Sequence, residues 1–127
     1  MRVPILKQHD CLIASIQSAL TDEDLLQLRD DLVKLVGKYR SHGAIVDVTA
    51  LDVLDSFAVR TLKGIAYMIR LRGAETVIVG IQPEIAFSMV QLGLTLGDVA
   101  TALDLEEGLA YLDTHKKDRS ENGDNAK

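Results

Sequence analysis

The sequence predicts an α/β domain: a mixed, mostly parallel β-sheet flanked by about four helices and opened by an antiparallel hairpin. Three observations carry that expectation. Two short apolar runs, residues 3–6 and 11–16, are separated only by the polar Lys7-Gln8-His9-Asp10, which reads as a hairpin connection. After Thr21, helical periodicities alternate with short, nearly continuous apolar runs, the order that gives parallel strands joined by right-handed crossovers. Those runs, Gly43-Ala-Ile-Val-Asp-Val48 and Thr76-Val-Ile-Val-Gly80, are short and nearly continuous in apolar residues, as strands covered on both faces are.

Each helix has its own punctuation. Thr21 precedes Asp22-Glu23-Asp24, a cap followed by acids that complement the positive end of a helix dipole. Leu25, Leu28, Leu32, Leu35 and Val36 then recur at helical spacing, so the first helix is expected over 22–40, ended by Gly37 or Gly43. The second is expected over 56–72, with Ala58, Leu62, Ile65, Ala66 and Ile69 on one stripe and Arg60, Lys63, Tyr67 and Arg70 on another. Pro83 opens a third helix that Gly93 closes. A short extended piece is expected over 96–101, and Asp104-Leu-Glu-Glu107 caps a last helix.

Charge narrows the function classes. The 127 residues carry 14 basic and 19 acidic side chains, a formal net charge of −5. The polar segment 116–127 holds four of the basic groups and three of the acidic ones and no apolar side chain larger than alanine. It is expected to be a disordered tail after a domain over 1–115, because it cannot bury enough surface to offset its ordering entropy. The remaining domain is therefore more acidic than the whole. An acidic, aromatic-poor surface argues against nucleic acid, whose phosphates need clustered Lys and Arg. No apolar run approaches the ~20 residues of a membrane span, so no membrane is expected. A single cysteine, Cys11, fits a reducing cytoplasm and rules out an internal disulfide.

Chemistry concentrates in one stretch, Asp47-Val-Thr-Ala-Leu-Asp52-Val-Leu-Asp55-Ser56-Phe57-Ala-Val-Arg60. It runs from the end of a strand to the start of a helix, where functional groups collect in open α/β sheets. Asp55 and Ser56 are ordinary capping chemistry. Ser56 would equally accept a phosphate there, since free N–H groups and the helix dipole favour a dianion.

That stretch resembles the STAS family of anti-sigma-factor antagonists, in which a serine after this aspartate is phosphorylated by a dedicated kinase. The resemblance covers nearly all of 1–115 and runs toward the RsbS-type antagonists of the bacterial stressosome. It is carried by P-I-L-K, C-L-I-A-S-I-Q, L-D-V-L-D-S-F, V-I-V-G-I-Q-P, L-G-L-T-L and A-L-D-L-E-E-G-L. It implies the STAS fold, Ser56 as the phosphorylated serine, and Ser88 in Ala86-Phe87-Ser88-Met89 as a second site. It further implies a non-enzymatic scaffold that binds sensor-bearing STAS paralogues and a serine kinase, with a phosphatase that resets Ser56. Asp52, Asp55, Phe57, Arg60 and Lys63 are the expected partner-binding residues, with Phe57 as an exposed anchor. Phe57-Ala58 replaces the small residue and glycine of many single-domain antagonists, a departure that fits the stressosome branch.

Two rival readings stay within the family: a conventional anti-sigma-factor antagonist, and a small-ligand module for a nucleotide or lipid. Enzyme readings are weaker. His9, His42 and His115 are read as exposed, none in a nucleophile-elbow context. The acidic pair of a receiver domain is missing from Ile13-Ala-Ser-Ile16, and no glycine-rich phosphate loop occurs, so no metal or cofactor is expected.

Overall fold

In a computed structural model, residues 2–116 are described with their side chains, and the last helix is followed along its backbone to Asn125. Strand β1 (Ile5–Gln8) pairs antiparallel with β2 (Cys11–Ser15), and β3 (Gly43–Asp47), β4 (Glu75–Val79) and β5 (Ala100–Ala102) follow in parallel. The five strands lie in sequence order across the sheet. Helices α1 (Asp22–Tyr39), α2 (Ser56–Leu71), α3 (Pro83–Gln91) and α4 (Leu105–Asn125) connect or follow them.

Strand periodicity splits the core in two, because successive side chains point to opposite faces. Leu12, Ala14, Ala44, Val46 and Ile78 face one layer with α1, α2 and α3. Cys11, Ile13, Ile45, Val77 and Val79 face the other, where Leu105, Leu109 and Leu112 of α4 cover them. Central strands thus bury both faces, as their continuous apolar runs require.

Several boundaries differ from expectation. The opening strand is displaced to Ile5–Gln8, so Lys7 and Gln8 pair within it and only His9-Asp10 turns. An edge strand is held by backbone pairing and needs no apolar pattern, which is why Leu6 is exposed and Lys7 tolerated. Neither Gly37 nor Gly43 ends α1. Arg40 takes the left-handed position at φ 50°, while Gly37 lies inside the helix against the Arg72 guanidinium. Within α2, Val59 fills the buried position beside Leu62, and Ala58 is only half-buried. The expected strand over 96–101 shrinks to Ala100–Ala102, with Leu96 and Val99 packing from a loop.

Two caps form as expected. The Asp24 N–H donates to Thr21 Oγ1 at 3.1 Å, and the Thr21 N–H donates back to Asp24 Oδ2 at 3.2 Å. At α4 the Glu107 N–H donates to Asp104 Oδ1 at 2.9 Å, and the Leu103 N–H to Glu107 Oε2 at 3.1 Å. The boundary drawn between 115 and 116 falls inside α4: Lys116 is helical and pairs with Asp10. The side chains of the rest of the expected tail lie outside the described residues.

Candidate functional site

The stretch from Asp47 to Arg60 is built at the carboxyl ends of β3 and β4. Asp47 closes β3 and turns its carboxylate onto the loop: Oδ1 accepts from the Thr49 N–H at 2.9 Å and from Thr49 Oγ1 at 2.6 Å. Gln82, just before α3, donates its side-chain amide to the Thr49 carbonyl at 2.6 Å. Gly80 completes the knot. Its φ is +81°, and a Cβ there would lie 1.9 Å from Thr49 Oγ1. Asp47 is therefore a loop-holding group.

Beyond this knot, Leu51 is buried and anchors the loop, and the Leu51 N–H bonds the Val48 carbonyl at 3.0 Å. Asp52 and Val53 point outward, Val53 with 71% of its surface exposed. Asp55 is the N-cap of α2 in extended conformation, its Oδ1 accepting from the Ala58 N–H at 2.8 Å. The capping reading of Asp55 is thus realised in the geometry.

Ser56 is the first helical residue and is exposed; among the described residues its hydroxyl makes no hydrogen bond. The Val59 N–H bonds the Asp55 carbonyl at 3.0 Å and Ala58 is taken by the cap, while the N–H groups of Ser56 and Phe57 face the turn where a helix has no partners of its own. A phosphate on Ser56 would meet those donors and the positive dipole end.

Around the serine the expected partner residues are not equivalent. Asp52 and Arg60 are exposed on either side of it in sequence, and Lys63 is exposed one turn further on. Neither Arg60 nor Lys63 forms an ion pair among the described residues. Arg70, on the same basic stripe, does: its guanidinium bonds Asp98 Oδ2 at 2.8 Å. That bond, and then the charge attraction behind it, hold the Asp98 carboxyl below its usual range. Phe57 is half-buried rather than an exposed anchor, its carbonyl accepting from Thr61 Oγ1 at 2.8 Å. The freely exposed apolar side chain beside the serine is Val53. Its position between Asp52 and Leu54 gave no periodic signal.

A hollow of about 90 Å³ opens next to Asp55, lined by Ile16, Leu20, Leu25, Leu54, Ala58 and Leu62. It joins the start of α1 to the start of α2. Ser88 lies elsewhere, exposed on α3 beside the exposed Phe87 and Val90.

The histidines do not approach Ser56. His9 sits in the hairpin turn at φ 55°, and His42, half-buried, precedes β3 with Nδ1 3.9 Å from Asp10. His115 stacks on Tyr111 with ring centroids 3.9 Å apart and bonds the Tyr111 carbonyl at 3.0 Å. Only His9 is exposed as expected; the other two are sheltered by α4 and the hairpin. Burial pushes the Cys11 thiol up, away from the thiolate form. Among the described residues no cluster of His, Cys, Asp and Glu is arranged to hold a metal, and no helix is long and apolar enough to cross a membrane.

A five-stranded mixed sheet opened by an antiparallel hairpin and accompanied by four helices is the architecture of a STAS domain. A family model described as the STAS domain matches residues 2–107, and the chain belongs to that family. Its similarity extends to RsbS-type stressosome antagonists. A serine-to-glutamate variant of RsbS from Moorella thermoacetica is 33% identical, with a TM-score of 0.79 covering 92% of this chain and 99% of that one. A chain from the molecular architecture of the stressosome, a signal integration and transduction hub, is 34% identical with a TM-score of 0.74, covering 89% and 98%. The RsbT co-antagonist protein RsbRA of Bacillus subtilis is 29% identical over 97 residues, 76% of this chain but 35% of that protein. The chain thus spans about a third of the length of that curated relative.

Proposed function

We propose that this chain is a non-enzymatic regulatory scaffold of a stressosome-type complex. It sequesters a serine kinase and releases it when Ser56 is phosphorylated. The observation that carries this reading is the placement of Ser56: exposed, at the first position of α2, and spared any role in the cap, which Asp55 fills alone. Similarity to stressosome chains supports the scaffold role, and relatives named as RsbT co-antagonists support sensor-bearing STAS paralogues as partners.

The switch is electrostatic. Phosphorylation adds about −1.5 to −2 charges beside the carboxylates of Asp52 and Asp55, inside the surface that holds the kinase. Like-charge repulsion and desolvation of the dianion oppose rebinding, and a loss of ~1.4 kcal/mol already weakens capture tenfold. A serine phosphatase restores the binding state. The hollow beside Asp55 is far below the roughly 300–1,000 Å³ of a small-molecule pocket, which weighs against a nucleotide reading at this end of the sheet.

The test is labelling by the cognate kinase with ATP. One serine takes up phosphate, Ser56→Ala abolishes the label, and Ser56→Asp captures the kinase at least tenfold more weakly than Ser56→Ala. Labelling elsewhere with Ser56 untouched, or equal capture by the two variants, overturns the proposal.

A further inference from the structure

Strand β1 ends the sheet, paired with β2 on one side and, among the described residues, with nothing on the other. An edge strand turns the N–H and C=O groups of alternate residues outward, a template for one more strand. Val3 and Ile5 send their side chains into the layer shared with α1. Lys7 follows in the same alternation, and its ammonium lies 5.6 Å from the centre of the Tyr39 ring at the end of α1. The Lys38 ammonium lies 5.3 Å from the same centre. Two like charges therefore share one ring, and an anion placed beside them would stabilise both.

Between this edge and α1 runs a groove of about 350 Å³. Its floor is apolar, formed by Val3, Ile5 and Leu35, and its rim carries the exposed cations Arg2, Lys34 and Lys38. Asp31, the acid among its lining residues, is already bonded by Arg2 and Gln27. The charge here runs against that of the chain, which is −5 overall. Lys7, Lys34 and Lys38 are exposed along the groove, and none of the three forms an ion pair among the described residues.

Simpler roles do not account for all three lysines. A cation in the last turn of α1 complements the helix dipole, which explains Lys38 alone. A lysine on an edge strand keeps other strands away, which explains Lys7. That protection depends on the charge of the incoming strand. Like charges facing each other across two strands oppose pairing, whereas opposite charges favour it. A second copy of this chain paired edge to edge would bring the same cations together. An acidic strand would meet them as counter-charges.

We propose that the β1 edge and its groove take up an extended acidic segment of a partner protein as an added strand. The main chain of β1 supplies the pairing, and acidic side chains at every second position turn toward α1. Their stems cross the apolar floor, and their carboxylates reach Lys34, Lys38 and Lys7. Backbone pairing then gives affinity, and the alternate side chains give selectivity. The Lys7 and Tyr39 end of the groove lies by the amino ends of β2 and β3, whereas Ser56 follows the carboxyl end of β3. The proposal goes beyond the serine switch and does not depend on it.

Fluorescence anisotropy tests it, with the full chain titrated into a labelled, end-blocked peptide that alternates glutamate and threonine. The peptide is expected to bind, more weakly as salt rises. Replacing its glutamates by lysine, or methylating the alternate amides that face β1, is expected to weaken binding at least tenfold. These changes leave the chain untouched, so lost folding cannot explain them. The double variant Lys34→Glu with Lys38→Glu is expected to lose at least tenfold as well while still melting cooperatively. Bound peptide slows amide exchange within residues 5–8 and leaves α3 unchanged. Absence of binding, equal binding by the lysine or methylated peptide, or parent-like binding by the double variant overturns the proposal. Displacement of the peptide by phosphatidylserine vesicles overturns it in favour of a membrane surface. Slowed exchange at residues 5–8 in the chain alone as its concentration rises overturns it in favour of a second copy.

Discussion

Removing the α2 cap tests how far the serine is separated from the fold that presents it. In Asp55→Ala the Ala58 N–H loses the acceptor now 2.8 Å away, and the start of α2 loses the negative charge that its dipole favours. Substituting an N-cap Asp by Ala costs about 1 kcal/mol. A chain of this size unfolds with an entropy that converts 1 kcal/mol to a Tm shift of about 4 °C. Asp55→Asn keeps a side-chain oxygen in place and is expected to recover most of that loss. Thermal and urea unfolding of the three proteins, followed by far-UV circular dichroism, measure the differences. Phosphate uptake at Ser56 is expected to persist in Asp55→Asn, because the serine hydroxyl takes no part in the cap. If Asp55→Ala melts with the parent, or Asp55→Asn falls as far as Asp55→Ala, the cap does not act as described.

Three further outcomes follow from close contacts. Gly64→Ala and Gly108→Ala both gain helix propensity, yet opposite signs are expected in denaturant titration. The first meets open space and stabilises by up to about 1 kcal/mol, whereas the second places a Cβ 2.7 Å from Val79 Cγ1 and destabilises by about 1–3 kcal/mol. Gly80→Ala forces a left-handed residue onto Thr49 Oγ1 and is expected to cost about 2 kcal/mol or more; Thr49→Ala in that background recovers part of it, a coupling that a double-mutant cycle reads directly. Arg2 bonds Asp31 at 2.8 and 2.9 Å, and those hydrogen bonds first, then one from the Gln27 amide at 2.9 Å and the Arg2 charge, hold the Asp31 carboxyl below its usual range. A depressed folded value contributes stability above the ordinary carboxylate range and loses it as pH falls through the folded value. Arg2→Gln should therefore melt slightly below the parent at neutral pH and level with it in strong acid.

What the sequence disclosed follows from where each signal is stored. The two-faced burial of β3 and β4 is written in adjacent apolar residues, and the caps at Thr21 and Asp104 are local chemistry, so both were legible. The edge strand was displaced because its pairing is backbone pairing, which leaves no apolar pattern to read. Arg40 ends α1 without a glycine because the Arg40 and Ser41 N–H groups bond the Gly37 and Val36 carbonyls, satisfying the helix end through backbone alone. At the site, Asp55 and Ser56 were legible as a cap and an exposed hydroxyl. The roles of Asp47, Gly80 and Gln82 were not, since that knot joins the ends of two strands distant in sequence. Arg70 and Arg60 look alike on a helical wheel; only the position of Asp98 separates the internally paired cation from the one left available.

The proposed switch would rest on a division of labour between Asp55 and Ser56. A serine that served as the cap itself would exchange an acceptor oxygen for a phosphate ester, so modification would disturb the helix it begins. Here the neighbouring aspartate holds the Ala58 N–H, and the loop is anchored independently through Leu51 and the Asp47–Thr49 bonds. In the proposed switch, phosphate would arrive at Ser56 with the fold intact, and its free energy would be expressed in the electrostatics of the surface. On the proposed function, a kinase held there by shape and by apolar contact with exposed Val53 would meet a dianion beside Asp52 and Asp55. With the α2 cap independent of Ser56, the proposed switch would let a phosphorylated chain keep its fold and its place in an assembly while the kinase leaves.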